Sequence, residues 1–211
     1  MAEMQTSNES QPAKKFQLVG GELCLDFCNT VGGKRGVVAR ENLHSYAHFL
    51  SWCEQAGLVD ANQAAALVAK AVKQPEEAQA VLARAIALRE AIYRIFLAAA
   101  ECKTPLASDL EQLNSELAGS LCRLRVAPAE CGFDWQWASG NGALDQTLGP
   151  IARSAAELLT SAHLLSHVRQ CGGDRCGWLF LDASKNHSRR WCDMRDCGNR
   201  AKVRRFREKH Q

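Results

Sequence analysis

Several hallmarks of membrane and secreted proteins are missing from this sequence. None of its apolar runs is long enough to cross a bilayer, since a spanning helix needs about 20 apolar residues. The first fifteen residues are polar and lack the apolar segment of a secretory signal. Internal repeats and low-complexity tracts are absent as well. These absences predict a cytoplasmic protein with no membrane partner.

The motifs of the common zinc enzymes and hydrolases are also missing. The sequence contains neither H-E-x-x-H nor the pair of H-x-E and P-C-x-x-C that marks zinc deaminases. The segment Gly32-Gly33-Lys34 has neither the spacing nor the Ser or Thr of a Walker loop. No nucleophile elbow occurs, and no carboxylate pair stands in an informative setting. We therefore expect that the protein is not an enzyme.

Cysteine, by contrast, is plentiful, and four of the ten cysteines lie in the last 41 residues. They form two C-x4-C pairs separated by fifteen residues, Cys171 with Cys176 and Cys192 with Cys197. Two close thiol pairs joined by a segment that folds back on itself can supply the four ligands of tetrahedral zinc. The alternatives are buried free thiols or a disulfide. The sequence predicts one Zn²⁺, and four sulfur ligands leave no open position, so the ion is expected to be structural.

Positive charge is concentrated around the same cysteines. From residue 171 onward there are eleven Lys and Arg against five Asp and Glu, a formal charge of +6, whereas the whole chain carries only +3. The first 170 residues are therefore mildly acidic. A small metal-bound module with a basic surface is typical of proteins that bind a phosphate backbone.

Within this module the pattern predicts a strand at 177–181, a turn at 182–187, a returning strand at 188–191 and a closing helix to about residue 209. Val203 and Phe206 form an apolar stripe on that helix, which we expect to pack against the hairpin. The candidate nucleic-acid contacts are polar and basic side chains of the turn, the second strand and the helix. They are Lys185, Asn186, Arg189, Arg190, Arg200, Lys202, Arg204 and Arg205.

The rest of the chain reads as a mainly helical body with a small antiparallel sheet, so the fold class is α+β. We predict a disordered lead-in at residues 1–15, a body at 16–170 and a zinc module at 171–211. One or two short strands are expected in 16–30, a long helix from Pro75, a β-hairpin in 121–137 and a final long helix over 145–170. Trp135 and Trp137 share one hairpin face, expected to point to the core.

Polar residues at the end of the first predicted strand form a candidate ligand site. Asp26, Asn29 and Thr30 stand among apolar residues, and Arg35 follows in a glycine-rich loop. A carboxylate, an amide and a hydroxyl close together can orient a small polar ligand. The alternative is a turn cap, in which these side chains bond to nearby backbone groups.

Two segments resemble a known family. Residues 191–200, W-C-D-M-R-D-C-G-N-R, carry the C-G-N-R motif of the CGNR zinc finger, and 177–182 and 188–190 also look like that finger. Residues 21–30, G-E-L-C-L-D-F-C-N-T, are similar to the opening of the ABATE domain that usually precedes it. The resemblance implies a treble-clef zinc finger bound to DNA and a body that senses a ligand. It also implies a stress-responsive bacterial transcription regulator.

These observations predict a DNA-binding transcription regulator whose body binds a small-molecule effector or forms a homodimer. Besides a finger used only for protein contacts, two alternatives stay open at this point. One is an RNA-binding zinc protein, which base-stacking aromatic residues exposed on the hairpin would favour. The other is a redox switch, in which oxidation of the four thiols ejects the zinc.

Overall fold

The computed structural model describes residues 15–138 and 142–210, and the statements below concern those residues. The helices are α1 (Leu23–Cys28), α2 (Tyr46–Gln55), α3 (Ala61–Lys73), α4 (Pro75–Ala100), α5 (Ala107–Leu121), α6 (Leu148–Thr160), α7 (Ala162–Leu165) and α8 (Asn199–Glu208). The strands are β1 (Leu124–Ala129), β2 (Gly132–Trp137), β3 (Val168–Gln170) and β4 (Leu179–Leu181). A π-helical turn, Met194–Gly198, leads into α8. Apart from Lys15, the predicted lead-in at 1–15 lies outside the described residues.

Helices predominate, and two small antiparallel sheets, β1–β2 and β3–β4, accompany them. The predicted α+β class is therefore confirmed. The predicted helix from Pro75 is confirmed as α4, because proline is tolerated in the first turn and Glu76 and Glu77 suit its positive end. Its apolar side includes the fully buried Leu88, Ile92 and Phe96. Burial of each such side chain contributes about 1.5–3 kcal/mol to the stability of the fold. The buried side of α4 therefore forms the centre of the body's core.

The strand prediction for residues 16–30 is wrong, because Leu23–Cys28 forms the helix α1. Cys24, Leu25, Phe27 and Cys28 are all buried in this helix. A short apolar run fits both a strand and a buried helical turn by periodicity alone, and here packing against α4 and α6 decides. Cys24 and Cys28 thus lie one helical turn apart as free, buried thiols.

The predicted helix over 145–170 is too long. It divides into α6 and α7 at Ser161, whose backbone is extended and whose hydroxyl caps α7 by accepting from the Leu164 amide. The chain then enters β3, which pairs antiparallel with β4, Val168 opposite Leu181 and Gln170 opposite Leu179. Burial of Val168 and Leu179 in the main core stabilises this pairing.

The predicted returning strand at 188–191 is also wrong, because β4 pairs with β3 and residues 188–191 form a loop. The predicted boundary after residue 170 falls at the end of β3. The β3–β4 sheet therefore contains one strand from each side of that boundary.

The hairpin of β1 and β2 is confirmed, with Val126 opposite Trp135 and Leu124 opposite Trp137. The expectation that both tryptophans face the core is wrong. Trp137 lies against Gly149 of α6 and is half-buried, whereas Trp135 is 53% exposed. Trp135 lies under the Arg153 guanidinium of α6, 5.2 Å from its ring centroid, whereas Phe133, nearer the turn, is exposed to solvent. Among the described residues no helix has the length and apolar character needed to span a membrane.

Candidate metal centre and its basic surface

The four cysteines predicted as zinc ligands converge. The Sγ atoms of Cys171, Cys176, Cys192 and Cys197 all lie within 4.8 Å of one another. Cys192 Sγ lies 3.7 Å from the sulfur of Cys176 and 3.7 Å from that of Cys197. Zinc bound to four thiolates at about 2.3 Å sits in a tetrahedron with edges of about 3.8 Å. A disulfide would need about 2.05 Å, so this spacing fits the metal and not an S–S bond.

Local backbone structure brings the two pairs together. The Cys171 amide donates to the Trp178 carbonyl (2.8 Å), and the Cys176 amide donates to the Gly173 carbonyl (3.0 Å), which closes a tight turn around the first pair. A side chain at Gly173 would meet Cys197 Sγ at 3.4 Å, so glycine keeps this turn open to the sulfurs. The Cys192 amide points at Cys171 Sγ (3.4 Å). The sequence pattern predicts Cys197 in the first turn of the closing helix, but Cys197 lies in the π-helical turn, two residues before α8 begins at Asn199.

The electrostatics of the cluster also favour a cation. The thiols of Cys176 and Cys192 lower the pKa of Cys171, because they can donate hydrogen bonds to its thiolate. The same contacts raise the pKa of Cys192 and of Cys176, and burial raises that of Cys197 to about 12. Four thiolates side by side require a positive ion among them, and Zn²⁺ fits both the sulfur ligands and the spacing.

Residues 182–191 form a loop that is tied to the metal cluster. The buried carboxylate of Asp182 accepts from the Ser184 amide (3.0 Å), the Ser184 hydroxyl (2.6 Å) and the Arg189 amide (2.8 Å), which lower its pKa. Arg189 Nε donates to the Trp191 carbonyl (2.9 Å) and Nη2 donates to that of Cys192, with the guanidinium over the Phe180 ring. Arg189 was predicted as a nucleic-acid contact, but its side chain bonds to the backbone of the metal ligand Cys192. Asp182 was missed, because no sequence signal separates a buried turn carboxylate from a solvated one.

The cysteine module is joined to the body by buried hydrogen bonds. Asn29 Nδ2 donates to the Leu179 carbonyl (2.8 Å), and its Oδ1 accepts from the Leu179 amide (3.0 Å). Trp178 Nε1 donates to the Val31 carbonyl (2.7 Å), and the Leu181 amide donates to the Gly20 carbonyl (2.7 Å). Asn29 therefore extends the β3–β4 sheet with a side-chain amide that mimics a strand. These contacts connect the module firmly to α1 and the segments that flank it.

Helix α8 leaves the metal cluster with no buried side chain. Val203 is 51% exposed and Phe206 is 64% exposed, so the prediction that they pack against a hairpin is wrong. The hairpin does not form, and Trp178, Phe180 and Trp191 pack around the cysteines instead. On the inner side, Arg204 pairs with Asp174 and lies 3.5 Å from Glu208. The apolar stripe of α8 consequently points away from the rest of the finger.

The model of the ABATE family, described as "Putative stress-induced transcription regulator", matches residues 21–162. The model of the CGNR zinc finger matches residues 167–210, which include all four cysteines. The chain belongs to the ABATE family. A search of curated proteins found no match.

This ABATE protein thus carries a CGNR zinc finger after its body, which confirms the resemblance drawn from residues 21–30 and 191–200. Its cofactor is one structural zinc ion, held by the four cysteines. The thiolates occupy every position of the tetrahedron, so the chemistry that the ion supplies is the cross-linking of loop, turn and helix.

The residues predicted to bind a ligand in the ABATE body do not form one pocket. Asn29 donates to the Leu179 carbonyl of the finger, and the Thr30 hydroxyl donates to the Phe27 carbonyl (2.8 Å). Arg35 pairs with Glu90 (2.8 Å) and lies over the Tyr93 ring. Asp26 Oδ1 accepts from the Gly20 amide (2.7 Å), and burial raises the pKa of this carboxyl to about 6. The cap interpretation therefore describes these side chains better than the ligand interpretation.

A cleft of about 470 Å³ lies elsewhere, between residues 29–42 of the body and the zinc finger. Arg40 lines it from the body, Arg175 and Arg200 line it from the finger, and Trp178 forms part of its wall. Among the described residues, Arg40 and Arg175 have no ion-pair partner, whereas Arg200 pairs with Asp196 (2.6 Å). Of the four predicted ligand residues, Asn29 alone lines this cleft.

The predicted nucleic-acid residues fall into two groups. Arg189, Arg200 and Arg204 are engaged in contacts within the finger, as described above. The others are exposed and, within the described part of the chain, have no ion-pair partner. They are Lys185, Asn186, Arg190, Lys202 and Arg205. Arg207 and Lys209 share this exposure and were not among the predicted contacts.

Proposed function

We propose that this ABATE protein is a DNA-binding transcription regulator that contacts duplex DNA with α8 and the loop at 182–191. The observation that carries the proposal is the exposure of α8. α8 contains three cations without an ion pair in the described residues and has no buried side chain, so we expect the metal cluster that fixes its start to stabilise it. Such a helix, held out from a rigid body, suits the phosphate backbone and the groove of a duplex.

The RNA alternative has less support. Base stacking on single strands uses exposed aromatic rings, but Phe180 of the finger is fully buried, and Trp178 and Trp191 are half-buried around the cysteines. Phe206, on α8, is the exposed aromatic ring of the described finger residues. The redox alternative is compatible with the same four thiols, and it would control the finger instead of replacing its function.

The regulatory part of the proposal rests on how the finger is docked. Asn29 and Trp178 join body and finger, and the cleft between the two is lined from both sides. A small molecule bound there would contact the body and the finger at once, which is what coupling between an effector and DNA binding requires. We expect no catalytic step, because the zinc has no open position.

Binding at several salt concentrations tests the DNA proposal. Zinc-loaded full-length protein is titrated with labelled random duplex DNA and with single-stranded RNA. We expect salt-sensitive binding to the duplex that a chelator abolishes. The double variant Lys202→Ala with Arg205→Ala should flatten the dependence of log K on log salt by up to about two units, because each phosphate contact contributes about 0.9.

The control is Lys73→Ala with Arg125→Ala, which removes the same charge from exposed positions on the body. If both double variants change the slope equally, only net charge matters and α8 is not the binding element. If duplex and single-stranded RNA bind equally well, or neither binds, the DNA proposal is wrong.

A further inference from the structure

The outward side of α8 is apolar along its centre and basic along both margins. An ideal helix turns about 100° per residue, so Val203 and Phe206, three apart, lie within about 60° of each other. Both are more than half exposed. Arg204 faces the opposite way, toward Asp174 of the finger. We call Val203 and Phe206 the outer stripe.

Cations flank the outer stripe on both sides. Arg207 lies about 70° round the helix in one direction, with Arg200, which pairs with Asp196, at about 90°. Lys202 and Lys209 lie about as far in the other direction. All four are exposed. An apolar centre between two cationic margins matches the cross-section of the major groove, where base edges lie between two phosphate backbones. The groove is about 12 Å wide and admits a helix of about 10–12 Å diameter.

The same margins argue against a protein partner identical to this chain. A second copy docked through the outer stripe would bring two sets of three unpaired cations against each other, and like charges at close range disfavour such an interface. The stripe is also preorganised. The Phe206 ring stacks on His210 with centroids 4.1 Å apart, and His210 Nδ1 lies 2.7 Å from the Phe206 carbonyl.

We propose that Val203 and Phe206 contact thymine methyl groups in the major groove while Lys202, Arg207 and Lys209 bind the phosphates of both strands. This inference rests on the proposed DNA binding and adds its specificity. Thymine is the base that presents a methyl group in that groove, and apolar side chains recognise it by contact. The expected preference is therefore for sites with A·T pairs opposite the outer stripe.

Replacing thymine with deoxyuridine tests this inference, because it removes the methyl group and preserves base pairing. Selection from a random duplex pool first yields the preferred site, and each thymine of that site is then replaced in turn. We expect at least one replacement to weaken binding by about fourfold, the effect of losing one buried methyl group. In Phe206→Ala the same replacement should have little effect.

The matched control is Val72→Ala, which removes a 77% exposed apolar side chain from α3 and should keep the discrimination of the wild type. Zinc content and circular dichroism establish that each variant is folded. Salt-sensitive duplex binding with equal affinity for thymine and deoxyuridine, or selection without any preferred site, would overturn the inference and leave the DNA proposal intact. Absence of duplex binding altogether would remove both.

Discussion

Cys197 joins the metal cluster to the start of α8. Its sulfur lies 3.7 Å from that of Cys192, and its backbone belongs to the π-helical turn that begins α8. We predict that Cys197→Ser lowers bound zinc well below one ion per chain, because a hydroxyl is a poor zinc ligand. Metal analysis after dialysis measures this.

The control for that variant is Cys102→Ser, an exposed free thiol of the body, which should keep its zinc. Equal zinc in Cys197→Ser and the wild type would contradict the assignment of four thiolates.

The ionised carboxylate of Asp26 destabilises the folded protein at neutral pH. Burial raises the pKa of its carboxyl to about 6, above its ordinary value of 3.8, although the Gly20 and Val19 amides oppose this. The folded state therefore binds the proton more tightly than the unfolded state, and the contribution of Asp26 to stability falls as pH rises from about 4 to 6. We predict that Asp26→Asn gains stability relative to the wild type over this range.

Urea midpoints of both proteins at pH 4.5, 6 and 8 test the prediction. A difference in unfolding free energy that grows with pH and levels off above about 6 is expected. Parallel profiles would show that Asp26 has an ordinary pKa in the folded protein.

Two helical glycines of the body have opposite surroundings. Gly119 of α5 is exposed, and a Cβ there would meet nothing within 4 Å. Gly149 of α6 is buried, and a Cβ would meet the Cβ of Ser120 at 2.8 Å and the Trp137 ring at 2.8 Å. The contact with Trp137 is how the β-hairpin packs on the helices.

We predict that Gly119→Ala stabilises the protein by about 0.5–1 kcal/mol, since alanine favours helix and restricts the unfolded chain. Gly149→Ala should destabilise it by about 1–3 kcal/mol through overpacking. Denaturant midpoints measure both. No loss of stability in Gly149→Ala would mean that the close contact at Gly149 relaxes freely, and destabilisation by Gly119→Ala would contradict the first prediction.

The zinc finger and the body are expected to unfold together, although they match different family models. Val168 and Leu179 belong to the main core, and Asn29 bonds to both backbone groups of Leu179. We predict that removal of zinc by a chelator increases amide exchange in α1 as well as in the finger. Hydrogen exchange read by mass spectrometry measures this.

The β-hairpin of β1 and β2 serves as the internal reference, because its Trp137 packs against Gly149 of α6 and its residues line neither the metal cluster nor the cleft beside it. Its exchange should not change. In Asn29→Ala the effect on α1 should be smaller than in the wild type. Unchanged exchange in α1 of the wild type would show that the finger folds independently of the body.

Local patterns account for the features that were predicted well. Cys171, Cys176, Cys192 and Cys197 could be assigned from spacing alone, because a metal site of this type demands thiols at fixed short intervals. The start of α4 at Pro75 followed from proline and acidic residues in the first turn. The β1–β2 hairpin followed from two apolar runs around a turn.

Contacts between distant segments decided the rest. Whether Leu23–Cys28 is a strand or a helix depended on the packing of α4 and α6, and β3 formed because β4 lay beside it. Asn29 lies 150 residues from its partner Leu179, so no local pattern could reveal it as a joint instead of a ligand contact.

The sequence by itself therefore determined the metal ligands, the family and the basic character of the finger, since these depend on residue type and short-range spacing. Only the tertiary structure decided which face of α8 is exposed and which arginines are free. The sequence pattern predicts that Val203 and Phe206 are buried, because they are apolar and have helical spacing. They are exposed to solvent because the second strand that was expected to cover them, at 188–191, is a loop. Burial depends on such contacts between segments and not on residue type alone.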